Sequence, residues 1–400
     1  MKINTYLTSF RQDSIARQAW NPIRSLTPAS LSRILDAFHA GHLKQAALIW
    51  EAIEHRDDLL QGVISKRKKA ISRLPWEILT LDNSEEAFLQ KEILESFYNN
   101  LSCVNAYDEN ERGGLALLIK QMMDAIGKKY AVHEVVFKPL NVKSKRFLSA
   151  EFRFVPLWFF ENKDGHLHFV KSDQDQRIPL ASGEWLITTG DGLMESCSIA
   201  YLFKHLPLRD WLIYCERNGM PGVKGVTNAR PGSNEWEIAR EAVKNFGAEF
   251  HALMSTGTDI QAIDISGKGE LPYPKLVERM DRAMAALWRG SDLTTISQQN
   301  GLGASVQKDE KTLLEEDDAQ MISETLNNQV DRCVLKYLLG TDHPKAYFQL
   351  KFSANKNLNN DLAIFKTLWD MGVSLSLNDI REHFGLNPPC NSNDTLKQSF

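Results

Sequence analysis

The chain has 400 residues, of which 43% are hydrophobic and 24% charged, with a formal net charge of −4 and a pI near 6.2. That is an ordinary globular composition, long enough for two or three domains. The acidic balance excludes a protein whose whole surface grips nucleic acid, because such binding neutralises many phosphates with Lys and Arg; a local basic patch stays open. Cys103, Cys197, Cys215, Cys333 and Cys390 form no CxxC pair and are odd in number. Neither a disulfide framework nor a zinc motif is expected from them. The first twenty residues lack the apolar core of a signal peptide, and no apolar run approaches the length of a membrane span. A cytosolic chain is therefore expected.

In chain order, residues 1–27 read as a polar arm broken by Pro22 and Pro28. Pro28 suits a first helical turn. From Leu31 to Arg73 apolar residues recur at helical spacing, and Leu59, Leu60, Val63, Ile64, Ile71 and Leu74 form one stripe. Pro75 ends it, and "WEILTL" reads as a strand. Helices are expected over 84–100 and 115–126. The region 128–190 is rich in short strands, "YAVHEVVFKPL", "SAEFRFVPLWFFEN", "HLHFVKS" and "EWLITTG", with "NKDG" as a hairpin turn. Residues 199–217 read as a helix containing Pro207. "SNEWEIAREAVKNFG" reads as a helix with a capping box of Asn234 and Glu237 and a stop at Gly247. "FHALMSTGTDIQAIDIS" predicts two short strands around Gly257. In "YPKLVERMDRAMAALW" the residues Leu276, Val277, Met280, Met284, Leu287 and Trp288 share a face. Asp309 to Leu339 reads as one helix of roughly 46 Å. Two short helices follow. The class is α+β.

The polar stretch "SQQNGLGASVQKDEKTLLEEDD" at 297–318 is the place to look for phosphate or metal chemistry. A P-loop needs glycine and lysine followed by a hydroxyl residue, so that amides and ammonium converge on phosphate. Here no glycine precedes Lys308 directly and no Ser or Thr follows it. The dinucleotide pattern fails at Val306, and Asp309 and Glu310 would repel an anion. Glu315, Glu316, Asp317 and Asp318 are consecutive, so on a helix they fan around it. Glu315 and Asp318 could share a face, but a solvated surface with a Lys311–Glu315 pair is the plainer expectation. His166 and His168 would lie on one strand face, a spacing metals use, with no third ligand evident. A cross-strand surface pair is the plainer account. "SKRKKAISR" places Lys66, Lys69 and Arg73 along one side of a helix, with Arg67 and Lys68 between them. It is either a solvated face or a nucleic-acid contact. "NVKSKRF" at 141–147 is a weaker basic patch. There is no GxSxG and no HExxH. No catalytic residue, metal or cofactor is expected.

The ordered blocks resemble those of tailed-phage portal proteins of the phage Mu type. The residues carrying the resemblance are "DDLLQGVISKRKKAISRLPWEI", "YAVHEVVFKP", "DGLMESCSIAYLFKHLPLRDWLIYCERNGMPGVKGV", "LTTISQQNGLGASVQKDEKTLLEEDDAQMISETLNNQVDRCVL" and "LWDMGVSLSLNDIREHFGLNPP". The resemblance implies a ring, usually a dodecamer, at one capsid vertex, through which double-stranded DNA is packaged and ejected. It implies terminase large subunit, major capsid and scaffold proteins, and head–tail connector proteins as partners, with no membrane. The location would be the virion, and the host cytoplasm during assembly. The plan it implies is a polar arm at 1–27 and a wing at 28–198. Stem helices and clip follow at 199–290, with 199–217 and 274–289 as the two stem helices and 218–273 as the clip. A tunnel loop at 291–308, a long wing helix at 309–345, and a C-terminal wing strand with a helical crown at 346–400 complete it. Gln298, Gln299, Asn300, Gly301, Gly303, Gln307, Lys308 and Lys311 would then line the DNA channel. Uncharged amides there suit a duplex that must slide, and one lysine per subunit around a ring gives on the order of ten weak contacts. Two other readings compete: a metal-dependent DNA-processing enzyme using the acids at 315–318 or the histidine pair, and a different head component such as a minor capsid or head-completion protein.

Overall fold

A computed structural model describes residues 22–142, 145–171, 176–219, 222–244, 258–263, 271–290, 303–351 and 358–373, with residues 376, 380, 381 and 384. The chain divides into two compact units, Met1–Lys351 and Phe352–Phe400.

The expected helical run over 31–73 is three helices, α1 (Pro28–His39), α2 (Lys44–Arg56) and α3 (Asp58–Ser72). Two residues force the breaks. Gly41 sits at φ +97°, where a Cβ would lie 2.0 Å from the Asn162 carbonyl oxygen, so only glycine fits that turn. Asp57 is extended (φ −85°, ψ 119°) and its carboxylate accepts from the Leu60 amide, capping α3. Strand β1 (Trp76–Thr80) follows Pro75, then α4 (Glu85–Asn100). Next come β2 (Ser102–Asn105), β3 (Arg112–Gly113), α5 (Leu115–Met122) and α6 (Asp124–Lys128). The helix expected over 115–126 is thus two, divided at Met123.

The body is organised on a five-stranded sheet of order β3-β2-β5-β4-β9, from β4 (Tyr130–Val142), β5 (Lys145–Val155) and, later, β9 (Trp185–Thr189). All its pairs are antiparallel except β2 with β5. "SAEFRFVPLWFFEN" is not one strand. Pro156 ends β5, and a 3-10 turn at Leu157–Phe159 leads into β6 (Phe160–Lys163). With β7 (His166–Lys171) and β8 (Gln176–Pro179), β6 forms a second sheet. The β6–β7 turn has Asp164 at φ 53° and Gly165 at φ 80°, the left-handed pair that a two-residue hairpin requires.

Helix α7 (Met194–Gly219), strand β10 (Gly222–Thr227), α8 (Asn234–Lys244), strand β11 (Thr258–Ile263) and α9 (Pro272–Arg289) come next. The Ser233 hydroxyl accepts from the Trp236 amide at 3.2 Å, and the Ser233 carbonyl accepts from Glu237 N at 3.1 Å. Ser233 therefore caps α8, in place of the expected Asn234–Glu237 box. Of the two strands expected around Gly257, β11 is one; the other, like the stop at Gly247, lies outside the described residues. The long helix starts at Gly303, not Asp309. It runs as α10 (Gly303–Leu326), takes a π-turn at Asn327–Asp331, and continues as α11 (Arg332–Leu339).

The π-turn has a clear structural use. It presents Gln329 to the outer edge of β9, where its side-chain amide accepts from Ile187 N at 2.9 Å and donates to Ile187 O at 2.7 Å. One glutamine thus satisfies both free groups of an edge-strand residue. It also presents Asp331, whose carboxylate accepts from the Tyr98 hydroxyl at 2.6 Å and from Phe348 N at 2.9 Å. Phe348 belongs to β12 (Ala346–Leu350), which pairs antiparallel with β1. The last strand of the first unit therefore closes on its first. Trp76, Tyr98 and Phe348 pack ring to ring there, with Tyr98 and Phe348 centroids 4.5 Å apart. In the second unit, α12 (Leu358–Asp370) carries Phe365 against Phe384.

Candidate functional site: a two-helix arm and its base

No described residue between Lys204 and Met284 is buried. The core takes in α7 up to Leu202 and takes in α9 from Met284. Between those points the two helices pack on each other. At their far end β10 and β11 pair antiparallel, from Gly222↔Ile263 to Thr227↔Thr258, and α8 packs on β10. The polar and apolar faces explain this. Leu276 and Leu287 on α9 are partly open, while Ile199, Phe203, Leu212 and Ile213 on α7 and Ile238 on α8 are exposed. Apolar faces of this kind, on helices with so little core, mark interaction surfaces.

Two charge nodes root the arm. Lys204, at the end of the buried part of α7, reaches Asp57 Oδ2 at 2.9 Å, Asp58 Oδ1 at 3.1 Å and Asp281 Oδ1 at 2.7 Å. It joins the outgoing helix, the returning helix and the start of α3. Burial disfavours its charge, but the carboxylates of Asp281 and Asp57 hold the ammonium above its usual range. Burial also raises the Asp281 carboxyl, against the pull of Lys204. Arg67 on α3 makes the second node. Its guanidinium donates to both oxygens of Asp318 on α10 (Nε 2.7 Å, Nη2 2.9 Å) and, through Nη1, to the carbonyl of Trp288 on α9 at 3.1 Å. It also lies 5.9 Å from the Trp288 ring centroid. A planar fork suits three such acceptors as lysine would not. Burial raises the Asp318 carboxyl, and Arg67 opposes that. Gly127 completes the base: a Cβ there would meet Trp288 at 3.0 Å and Met194 at 3.2 Å, so α6 can lie against both helix roots only without a side chain.

A third charged cluster sits inside the body. Lys68 reaches Glu54 at 2.9 Å and also bonds Asp124. Lys128 reaches Glu51 at 2.7 Å, Asp124 at 3.0 Å and Glu54 at 3.2 Å. Burial disfavours both ammonium charges, but the surrounding carboxylates win and hold Lys68 and Lys128 above their usual range.

The residues singled out in the sequence fall as follows. Gln298, Gln299, Asn300 and Gly301 lie outside the described residues. Gly303, Gln307, Lys308 and Lys311 are in α10, so the tunnel-loop boundary at 308 is corrected to the residue before Gly303; their side chains are outside the described set. Lys66, Lys69 and Arg73 are exposed along α3. Arg67 and Lys68, off that side, are held in the ion pairs above, Arg67 buried and Lys68 partly so. Asp318 is likewise not a solvated acid: it is 3% exposed and held by Arg67, which removes it from any shared metal face with Glu315. His166 is exposed, and His168 places Nδ1 3.0 Å from the His166 carbonyl. Among the described residues no three His, Cys, Asp or Glu side chains could hold a metal together. Cys103, Cys197, Cys215 and Cys333 are free.

Sequence reasoning missed Arg67, Lys204, Asp281 and Asp318 as a structural set. One signal was present. Arg67 occupies the buried stripe Leu60, Val63, Ile64, Ile71 at helical spacing, and Lys204 follows buried Cys197, Ala200 and Tyr201 in the same way. A cation in an apolar stripe calls for a buried acceptor.

Residues 47–386 match the model of the family described as portal protein of Mu bacteriophage. The chain belongs to that family. A relative in Haemophilus influenzae (strain ATCC 51907 / DSM 11121 / KW20 / Rd), the Mu-like prophage FluMu protein gp29, is 21% identical over 329 residues. That alignment takes in 78% of this chain and 60% of the relative, so the chain spans about three fifths of the relative's length. Among solved structures, a chain from the virion of a native gene transfer agent particle superposes with a TM-score of 0.56 at 10% identity, over 95% of this chain and 99% of that one. A chain from the neck of the empty particle, computed with C6 symmetry, gives 0.59 at 11% identity over 86% and 94%. One from the neck of the native particle, computed with C12 symmetry, gives 0.56 at 12% identity over 95% and 99%. The portal fold seen in the arm and body is thus shared with these chains.

Proposed function

We propose that this chain is the subunit of a portal ring in a Mu-like phage or prophage, set at a capsid vertex and passing double-stranded DNA. The observation that carries the reading is the arm: two helices and a small sheet in which no described residue between Lys204 and Met284 is buried, in a chain of the portal family. Packed around an axis, copies of such an arm bury each other's apolar faces and enclose a hole. In this reading α7 and α9 are the stem. The β10–β11 pair with α8 is the clip; its strands pair with each other and not with the body sheet. The body up to residue 198, with β12 returning to β1, is the wing. Twelve subunits are the expected count, by analogy with the neck computed with C12 symmetry. The segment between α9 and α10, with Gln298, Gln299, Asn300 and Gly301, faces the channel, and Lys308 and Lys311 follow on the first turns of α10. Terminase, connector, capsid and scaffold proteins are the partners this role requires.

The role is conduit and docking ring, not chemistry. Asp318, the one acid of the 315–318 run that is buried, is committed to Arg67, which weakens the reading as a metal-dependent DNA enzyme.

Negative-stain imaging of purified protein, paired with its mass in solution, tests the proposal. Rings with a central hole, many times the 45.4 kDa chain, are expected. A monodisperse monomer at every concentration, with scaffold protein present, overturns it.

A further inference from the structure

A groove of about 170 Å³ lies where α3, the end of α9 and the middle of α10 meet. Lys66, Ala70, Trp288, Arg289, Leu314 and Glu315 line it, with Arg67 at its floor. Arg67 is already spent on Asp318 and the Trp288 carbonyl. Lys66 and Arg289 are not: among the described residues neither has an ion-pair partner. Nor do Lys69 and Arg73, which continue from Lys66 along the exposed side of α3. The rise from residue 66 to 73 is roughly 10 Å, a length over which duplex DNA carries about six charges. So the groove brings together Lys66 and Arg289 from elements far apart in sequence, Lys69 and Arg73 extend the basic face beyond it, and Glu315 is the one carboxylate lining it.

We propose that this groove and the adjoining face of α3 form a sequence-independent contact for the phosphodiester backbone of double-stranded DNA, made by Lys66, Lys69, Arg73 and Arg289. The inference rests on the portal reading for the identity of the anion. Its placement supports the same ligand: Trp288 and Arg289 in its lining close α9, the helix that leads into the segment assigned to the channel. The presence of Glu315 suits a contact that must release. The acid offsets one cation, so the site holds phosphate weakly, and a moving duplex is guided without being braked.

The test is binding of two unrelated labelled DNA duplexes to the full-length protein across a salt series. Lys66→Gln, Lys69→Gln and Arg73→Gln are combined, and Arg289→Gln is made separately. Each lost phosphate contact lowers the slope of log K against log salt by about 0.9. The triple variant should therefore lose about 40-fold of the wild type's fall in affinity between roughly 50 and 200 mM salt. The effect should be equal for both duplexes, and Arg289→Gln alone should reduce the slope as one contact does. Lys91→Gln on α4, which is not in the groove's lining, is the matched control and should keep the wild-type slope. Glu315→Gln should tighten binding. Equal slopes for wild type and triple variant overturn the groove, as does a loss confined to one duplex. Ring formation is scored separately by imaging, so rings with an unchanged slope sink this inference alone, and absence of rings sinks the portal reading instead.

Discussion

The body and the arm of this chain solve burial in opposite ways. In the body, Trp50, Phe97, Phe152, Phe160 and Phe169 are fully enclosed, and even Lys68, Lys128 and Asp331 are inside with partners. In the arm nothing described is enclosed from residue 205 to 283, and Leu212 and Ile213 of α7 and Ile238 of α8 are exposed. An isolated two-stranded sheet is marginal in water, and helices owe most of their stability to a packed face. The body therefore specifies itself within one chain. The arm is held at its root by Lys204 and Arg67 and needs neighbouring copies for the rest. That difference yields four ways to break or sharpen the contrast.

The largest effect belongs to Arg67. Arg67→Ala leaves Asp318 buried without its cation and frees the Trp288 carbonyl, at a cost of about 3–5 kcal/mol. Urea unfolding of the isolated subunit should show it as a lower midpoint. Arg67→Met with Asp318→Leu should recover most of the loss, since a well-packed apolar pair replaces a buried ion pair at little cost. Recovery would show that the node holds the arm by packing and partner satisfaction, not by charge as such.

Next comes Asp331, the buried acid of the π-turn. Burial pushes its carboxyl from 3.8 up to about 7, although the Tyr98 and Phe348 hydrogen bonds pull it down. The folded state therefore holds this proton more tightly than the unfolded one. Its contribution is fully present below pH 3.8 and is lost as pH rises to about 7. No cation is among the groups that set its shift, which are Tyr98 and the Phe348 amide. Asp331→Asn keeps an acceptor for Phe348 N and a donor for the Tyr98 oxygen. It should flatten that part of the pH–stability profile and match or exceed the wild type at pH 8. An unchanged profile would assign the pH dependence elsewhere. No described carboxyl of the arm is enclosed as Asp331 is, and Asp281, which burial also raises, is paired with Lys204, so the arm's hydrogen-exchange rates, corrected for pH, should not follow this titration.

Much of the body was legible in the sequence because period and punctuation agreed there. The strands at 130–190, the "NKDG" turn and the stripe on α3 all obey short-range rules. The errors came where long-range partners decide. Nothing local reveals that Asp318 answers Arg67 across 251 positions, so the acidic run read as a solvated face. The π-turn at Asn327–Asp331 is invisible in a pattern of continuous helical period, because its use is to aim Gln329 and Asp331 at β9 and β12. In the α3 basic run, helical period placed Lys66, Lys69 and Arg73 on one side, and they are exposed; what charge and period did not reveal is the buried partner of Arg67. The order of blocks gave the family, and the arm's lack of core could be seen only in three dimensions.

A smaller loss is expected at Lys204. Lys204→Ala removes a charged hydrogen bond to Asp57 and an ion pair with Asp281, worth about 2 kcal/mol together. Asp58 is largely exposed and solvent will screen it. Asp57 still caps α3 through the Leu60 amide, so the body should keep its protection. Hydrogen exchange should quicken along α9 and the outer half of α7 while β4 and β5 stay slow. Equal quickening in both regions would mean that Lys204 supports the body itself, and the division drawn here at that residue would be misplaced.

The smallest effect on the single chain should be the largest on the assembly. Ile199 and Phe203 sit one turn apart on α7, 42% and 49% exposed. An exposed apolar side chain contributes little to the fold of its own subunit, so Ile199→Ser with Phe203→Ser should shift unfolding by no more than about 0.5 kcal/mol. The same pair, if covered by a neighbouring copy, buries apolar area worth about 25 cal/mol per Å² at every interface of a ring, and a closed ring repeats that loss at each one. Sedimentation should therefore show the double variant shifted to small species at concentrations where the wild type is a ring. If instead the subunit unfolds while the residual assembly persists, the two residues are core that the single chain leaves open only in isolation, and the arm is more nearly self-sufficient than its exposure implies.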